Sequence, residues 1–227
     1  MKRIYIEDFA ESRYELRGNY HHYLKNVLRS REGGELEVLT GAELLNVRIT
    51  EINNKYASLE RTDGRPLKPC GYRLSVFQCV LKREYMDFVV EKYAELGVTE
   101  ITPVLSSRSM RDVKDKAFDR YKEIAIKAVL QSENEHVPVI NEPVELAELT
   151  TDRAEKLFFY ERKEGRAPLE LAGKDVAMII GPEGGFEVEE AETLVSKGFE
   201  AVSPFTPVLK AETAAVVFTG LVRMELE

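Results

Sequence analysis

Cysteine is scarce in this chain: Cys70 and Cys79 are the only two among 227 residues. Two are too few for a disulfide framework and lack metal-ligand spacing, so they read as reduced, half-buried thiols of a cytosolic protein with no metal site. No uninterrupted apolar run approaches the ~18 residues that a membrane span needs. The start, from Met1 to Asp8, turns acidic at once, which excludes the pattern of a secretory signal. Glycine and proline number only 14 and 9, which rules out collagen-like and low-complexity chains. What remains is 44% hydrophobic and 32% charged, enough for a packed core in one large or two modest domains.

The net charge of −8 is unevenly spread. Residues 1–70 balance at +1 and residues 71–227 at −9, yet 105–130 reverse the sign with seven basic residues against four acidic. Such a run is ordinarily a solvated helix face. It can still contact phosphates on an acidic protein, because salt screening confines each charge to its neighbourhood.

The first seventy residues read mostly as strands, at Arg3–Ile6, Glu35–Leu39, the alternating stretch Leu45, Val47, Ile49 and Ile52, and Tyr56–Arg61. Thr40-Gly41-Ala42 reads as a turn. One helix is expected over Tyr20–Arg29, with Tyr20, Leu24, Val27 and Leu28 on its apolar face. Short strands around one helix suggest a small β-barrel. Asp63-Gly64-Arg65-Pro66-Leu67-Lys68-Pro69 has linker composition, which places the domain boundary there, dividing the chain into 1–70 and 71–227.

Beyond Tyr72, strands and helices alternate. Strands are expected at Arg73–Leu81, Glu100–Val104, Lys156–Tyr160, Asp175–Ile180 and Ala201–Ser203. Helices are expected from the Met86, Val89, Val90, Tyr93, Leu96 face ending at Gly97, over Phe118–Gln131, over Glu187–Lys197 before Gly198, and over Ala211–Leu226. The order predicts an α/β fold with a mostly parallel sheet covered by helices.

The densest chemistry lies where the strand Met178-Ile179-Ile180 runs into Gly181-Pro182-Glu183-Gly184-Gly185-Phe186 and then a helix. Open α/β sheets bind ligands at such a place, and glycines let backbone amides approach them. The Gly-Lys-Ser/Thr ending of a P-loop is absent, and Glu183, Glu187, Glu189 and Glu190 would repel a triphosphate while tolerating a cation. A plain tight turn is the alternative. The second constellation, Pro204-Phe205-Thr206-Pro207-Val208-Leu209-Lys210, stiffens a loop before the last helix, with Lys210 and Thr213 at its mouth. It reads equally as an anion-binding helix start or as an ordinary rigid loop with an N-cap.

Ile180-Gly181-Pro182-Glu183-Gly184-Gly185-Phe186 followed by Leu209-Lys210-Ala211-Glu212-Thr213-Ala214 resembles the paired signature of the bacterial 16S rRNA (uracil-N3)-methyltransferases of the SPOUT superfamily. The likeness extends to Glu91–Val98, Ile101-Thr102-Pro103, Ser106-Ser107-Arg108-Ser109, Ala128–Ser132 and Val137-Pro138, and to His21-His22 with Val27-Leu28-Arg29. The resemblance implies an N-terminal PUA-like β-barrel that helps hold RNA. It also implies a C-terminal SPOUT-like parallel sheet, helices on both faces, with a deep trefoil knot, and a homodimer packed through the knot. The implied cofactor is S-adenosylmethionine, contacted by Tyr160, Ile180, Gly181, Pro182, Glu183, Gly184, Gly185, Pro204, Val208, Leu209, Lys210 and Thr213. RNA contacts fall on His22, Arg29, Arg111, Lys114 and Lys116. Three places depart from the usual pattern, the first being Pro204-Phe205 where Leu-Gly usually enters the loop. Lys210 stands in place of an arginine, keeping the charge without the planar fork, and Asn134 stands where an arginine is usual.

The implied reaction is displacement at a sulfonium methyl by uracil N3, whose proton must first leave. Arg108 is the candidate for stabilising the uracil anion, with Glu95 helping proton removal or positioning Arg108. An Arg108–Glu95 structural ion pair, or an RNA-phosphate contact by Arg108, is the competing reading. A SPOUT enzyme acting on tRNA and a catalytically silent rRNA-binding assembly factor are the other functions the sequence leaves open.

Overall fold

A computed structural model describes residues 2–9, 12–110, 116–160, 169–203 and 208–227. The chain divides into two compact units, Met1–Pro69 and Cys70–Glu227.

The first unit holds β1 (Arg3–Tyr5), β2 (Arg13–Leu16), α1 (Gly18–His22), β3 (Glu35–Leu39), β4 (Glu43–Ile52) and β5 (Ala57–Pro66). Its sheet runs β1-β3-β4-β5-β2, with β1 parallel to β3 and the other pairs antiparallel. Alternation explains the layer. Leu36 and Val38 of β3 and Leu45, Val47 and Ile49 of β4 are buried in one cluster, while Glu35 and Arg48 face each other across the pair at 3.1 Å. At the β3–β4 turn the Thr40 hydroxyl accepts the Glu43 amide at 2.8 Å.

Two expectations fail here, and one strand was not foreseen. The helix expected over Tyr20–Arg29 is α1 continued by a π-helical turn, Tyr23–Val27. The wider turn rotates the apolar face, so Leu24 is buried but Val27 is 60% exposed. Arg29 then leaves the helix with φ +48°. The stretch 63–66 is strand, not linker, because β5 stays paired with β4 through a bulge as far as Pro66. Its glycine serves packing: a Cβ on Gly64 would come within 2.8 Å of the Leu45 side chain. Strand β2 is too short and polar to announce itself.

The second unit comprises β6 (Arg73–Cys79), α2 (Arg83–Glu95), β7 (Glu100–Leu105), α3 (Lys116–Gln131), β8 (Val139–Ile140), β9 (Val144–Glu145), β10 (Glu155–Phe159), β11 (Asp175–Ile180), α4 (Val188–Ser196), β12 (Glu200–Val202) and α5 (Ala211–Glu225). Its sheet runs β12-β10-β11-β6-β7-β8, β9 also pairing with β7, and every pairing is parallel. This is an α/β fold. Alternate residues of β6 and β11 serve opposite layers. Phe77, Ala177 and Ile179 pack with Ala191 and Leu194 of α4. On the other side Tyr93 of α2 donates its hydroxyl hydrogen bond to Gln78, and Thr219 of α5 reaches Met178 at 3.9 Å. Helix α2 forms because Met86, Val89, Val90 and Tyr93 share one buried stripe, and Gly97, at φ +76°, ends the turn.

The amino ends of the central strands are closed by a charge cluster. Arg153, only 6% exposed, donates to Ser75 at 2.9 Å and pairs with Glu100, with Asp152 at 3.0 Å and with Asp175 at 3.5 Å. Neither cysteine is half-buried: Cys70 is exposed and Cys79 fully enclosed, where burial pushes its thiol pKa up while the neighbouring Ser106 hydroxyl acts the other way. Among the described residues no helix is long and apolar enough to cross a membrane, and no group of three or more His, Cys, Asp or Glu residues is placed to hold a metal.

Candidate active site

A cleft of about 190 Å³ opens off the carboxyl ends of β10, β11 and β12. That is where a parallel sheet presents the loops that follow its strands. One wall is Ile180 with the glycine loop 181–185. Gly185 donates its amide to the Pro182 carbonyl at 2.9 Å and takes φ +69°, which closes the turn. At Gly181 the packing is tight, since a Cβ there would stand 3.1 Å from the Phe186 ring and the ring would have to shift. The opposite wall comes from Val208 and Leu209 and from Ala211, Ala214 and Phe218 of α5. The floor is aromatic: the Phe159 and Phe218 rings stack with centroids 3.8 Å apart, and Tyr160 follows at the strand end.

Nine expected contacts therefore meet at one cleft: Tyr160, Ile180, Gly181, Pro182, Glu183, Gly184, Gly185, Val208 and Leu209. Val208 lies at its edge, 75% exposed. Lys210 and Thr213 do not line it; Lys210 is the exposed N-cap of α5 and Thr213 is exposed on its first turn. Pro204 lies outside the described residues. Phe159, Val202, Ser203 and Phe218 line the cleft without having stood out in the sequence, since a strand-end phenylalanine reads as ordinary core.

Charge is confined to the rim. Among the described lining residues Glu183 is the one ionised group, and its carboxylate accepts the Lys82 amide at the start of α2 at 3.2 Å. Arg108 follows β7 and lies along the glycine loop. Its Nη1 donates to the Gly184 carbonyl at 2.6 Å and its Nε to Glu187 at 2.7 Å. The same turn is held through Ser107, whose amide donates to Glu190 at 2.7 Å. Glu190 also accepts the Glu187 amide at 2.9 Å, the reciprocal cap of α4.

The structure does not bring Glu95 to Arg108. Glu95 closes the far end of α2 and pairs with Lys92 at 2.8 Å. It lies about 20 Å along that helix from the Lys82 amide that meets Glu183. Arg108 takes Glu187 as its carboxylate instead. His22 and Arg29 are exposed in the first unit. Arg111, Lys114 and the side chain of Lys116 lie outside the described residues. Of the remaining basic run, Arg120 pairs with Asp87 at 2.9 Å and Lys127 with Glu123 at 3.9 Å. Asn134 donates to the Ala94 carbonyl at 3.3 Å, a contact that ties down the segment after α3.

Comparison with known proteins gives this geometry a context. The ribosomal RNA small subunit methyltransferase E of Rickettsia conorii is 28% identical over 236 residues, covering 98% of this chain and 95% of that protein. Its namesake from Aquifex aeolicus is 28% identical over 202 residues, covering 86% and 87%. A Legionella pneumophila methyltransferase solved with bound SAM superposes with a TM-score of 0.88 at 26% identity, covering 98% of this chain and 96% of that one. The RNA methyltransferase domain matches residues 68–223, which span the sheet, the glycine loop and α5. On that match, and with its cleft built where a ligand meets the strand ends, the chain belongs to the RNA methyltransferase family.

Proposed function

We propose that this chain is an S-adenosylmethionine-dependent methyltransferase acting on N3 of one uridine in 16S rRNA, within the assembled small ribosomal subunit. The chemistry of the cleft carries this reading. Its apolar and aromatic walls suit an adenosyl group, its glycine loop offers main chain at close range, and Glu183 tolerates a cation where a triphosphate would be repelled. Bound there, S-adenosylmethionine supplies an electrophilic methyl group on a sulfonium. Gly181, Glu183, Gly184, Gly185 and Leu209 would hold it against Tyr160 and the stacked phenylalanines.

The chain's own contribution to the reaction is Arg108. Two of its nitrogens are engaged by Glu187 and Gly184, and among the described residues its Nη2 has no partner. A guanidinium fixed in this way can meet the uracil carbonyl on which charge grows as N3 loses its proton, favouring the anion. The base must be splayed out of folded RNA to reach it. Arg111, Lys114 and Lys116, with His22 and Arg29 of the first unit, are the proposed phosphate contacts.

The same reading makes residues 1–70 a PUA-like barrel and puts a trefoil knot through the second unit. The five-stranded sheet folded over one helical segment supports the first, and the convergence of 180–185 and 208–211 on one cleft supports the second. Exposed Val208 beside the cleft suits a homodimer joined there, and a ribosomal substrate places the protein in the cytoplasm. Incubating the protein with labelled cofactor, undermethylated small subunits and free tRNA tests the reading. Label should enter 16S rRNA of the subunits as N3-methyluridine by mass spectrometry. Label in tRNA, or none anywhere, would overturn it.

A further inference from the structure

We infer that Glu187 is a positioning residue for Arg108, and that the cap of α4 thereby sets the catalytic geometry; this rests on the reading of Arg108 given above. The observation is a chain of contacts between segments nearly eighty residues apart. The Glu187 carboxylate accepts Arg108 Nε at 2.7 Å, on the edge of the guanidinium that Nε shares with Nη2, which has no partner of its own among the described residues. The Gly184 carbonyl accepts Nη1 at 2.6 Å, so two fixed acceptors on either side of the loop define the plane of the fork. The alkyl stem is held as well, since a Cβ on Gly184 would stand 3.0 Å from Arg108 Cδ. Below it, Glu190 holds both the Ser107 amide at 2.7 Å and the Glu187 amide at 2.9 Å, which locks the arginine turn to the start of α4.

Helix capping alone does not ask for this arrangement. Serine, threonine, asparagine and aspartate are the preferred N-caps; the Glu187 carboxylate does accept the N3 amide, but its side chain is longer than that contact needs. Here it reaches Arg108. The glycine loop that lines the cleft is thus tied directly to the group that would activate the base, so loop and arginine are aligned together before substrate arrives.

Glu187→Ser separates the two roles, because serine restores the cap and cannot span to Arg108. The variant should melt at the wild-type temperature and bind S-adenosylmethionine with unchanged affinity by calorimetry. Its kcat on undermethylated small subunits should fall about tenfold, short of the hundredfold that a ~1 Å misplacement can cost, with KM within about twofold. Glu187→Gln, which keeps an acceptor for Nε without the charge, should recover part of the loss and serves if the serine variant folds poorly. In an Arg108→Ala background, Glu187→Ser should change kcat by less than about twofold, since the group it positions is gone. An equal loss in both backgrounds, or wild-type kcat for Glu187→Ser while Arg108→Ala is crippled, overturns the inference and leaves Arg108 standing. Wild-type kcat for Arg108→Ala itself overturns the reading of Arg108 and this inference with it.

Discussion

The two ends of the parallel sheet in the second unit use charge in opposite ways. At the amino ends, Arg153 is enclosed and each of its nitrogens is engaged by Ser75, Glu100, Asp152 or Asp175. At the carboxyl ends, Arg108 is more than a third exposed, rides on a glycine turn and, among the described residues, keeps one nitrogen unengaged. A buried cation must be fully compensated or it costs more than it returns. A cation meant for a passing substrate must be held firmly yet left one donor short. One end stabilises the fold and the other is available for chemistry.

That contrast is broken most severely at the stabilising end. Arg153→Ala removes the buried cation from Glu100, Asp152 and Asp175, of which the two aspartates keep the exposed Arg73 as a partner, and should cost about 3 kcal/mol of unfolding free energy, the lower end for breaking a buried pair, measured by urea titration. The cleft lies at the other end of the strands, so whatever fraction remains folded should bind S-adenosylmethionine normally. Arg108→Ala should do the reverse. Stability stays close to wild type, cofactor affinity is unchanged, and the methylation rate on small subunits falls ~100-fold, as for the loss of one preorganised donor. Raising the pH should narrow that gap, because more uracil then loses its N3 proton unaided. A variant that binds subunits poorly but turns over normally at saturation would make Arg108 a phosphate contact instead.

Much of the second unit was legible because its signals are local. The buried run Asp175–Ile180, the stripe Met86, Val89, Val90 and Tyr93, and the breaks at Gly97 and Gly198 all lie within one element of their cause. The glycine loop was legible as a ligand site for the same reason. Tertiary pairings were not. Nothing in the sequence near Arg108 points to Glu187 rather than Glu95, since the pair is set by how β7 and β11 end side by side around β6. The stacked Phe159 and Phe218 come from elements that meet only in the fold. In the first unit Gly64 and Pro66 carried turn chemistry that a bulged, partly edge-exposed strand tolerates, and the π-helical turn shifted an apolar face that a 3.6-residue period cannot describe.

Smaller effects sharpen the comparison at the carboxyl end. Gly184→Val puts a branched side chain on the cleft wall, where its Cβ also meets Arg108 at 3.0 Å. Cofactor affinity should drop about tenfold, equivalent to ~1.4 kcal/mol, by calorimetry. Unchanged affinity would move the cofactor off this loop.

The smallest effect is expected from Glu190→Ala. Its carboxylate accepts two amides, those of Ser107 and Glu187, and so joins the arginine turn to α4. Both amides sit near the surface, where water can replace a lost partner, so neither is stranded as a buried donor would be. Losing the reciprocal cap should cost about 1 kcal/mol, in the range of an N-cap removal and well below the Arg153 variant. The urea midpoint should move with the slope preserved, because no new surface is exposed. If Glu190→Ala instead destabilises as much as Arg153→Ala, the carboxyl end is as tightly built as the amino end, and the division of labour between them fails.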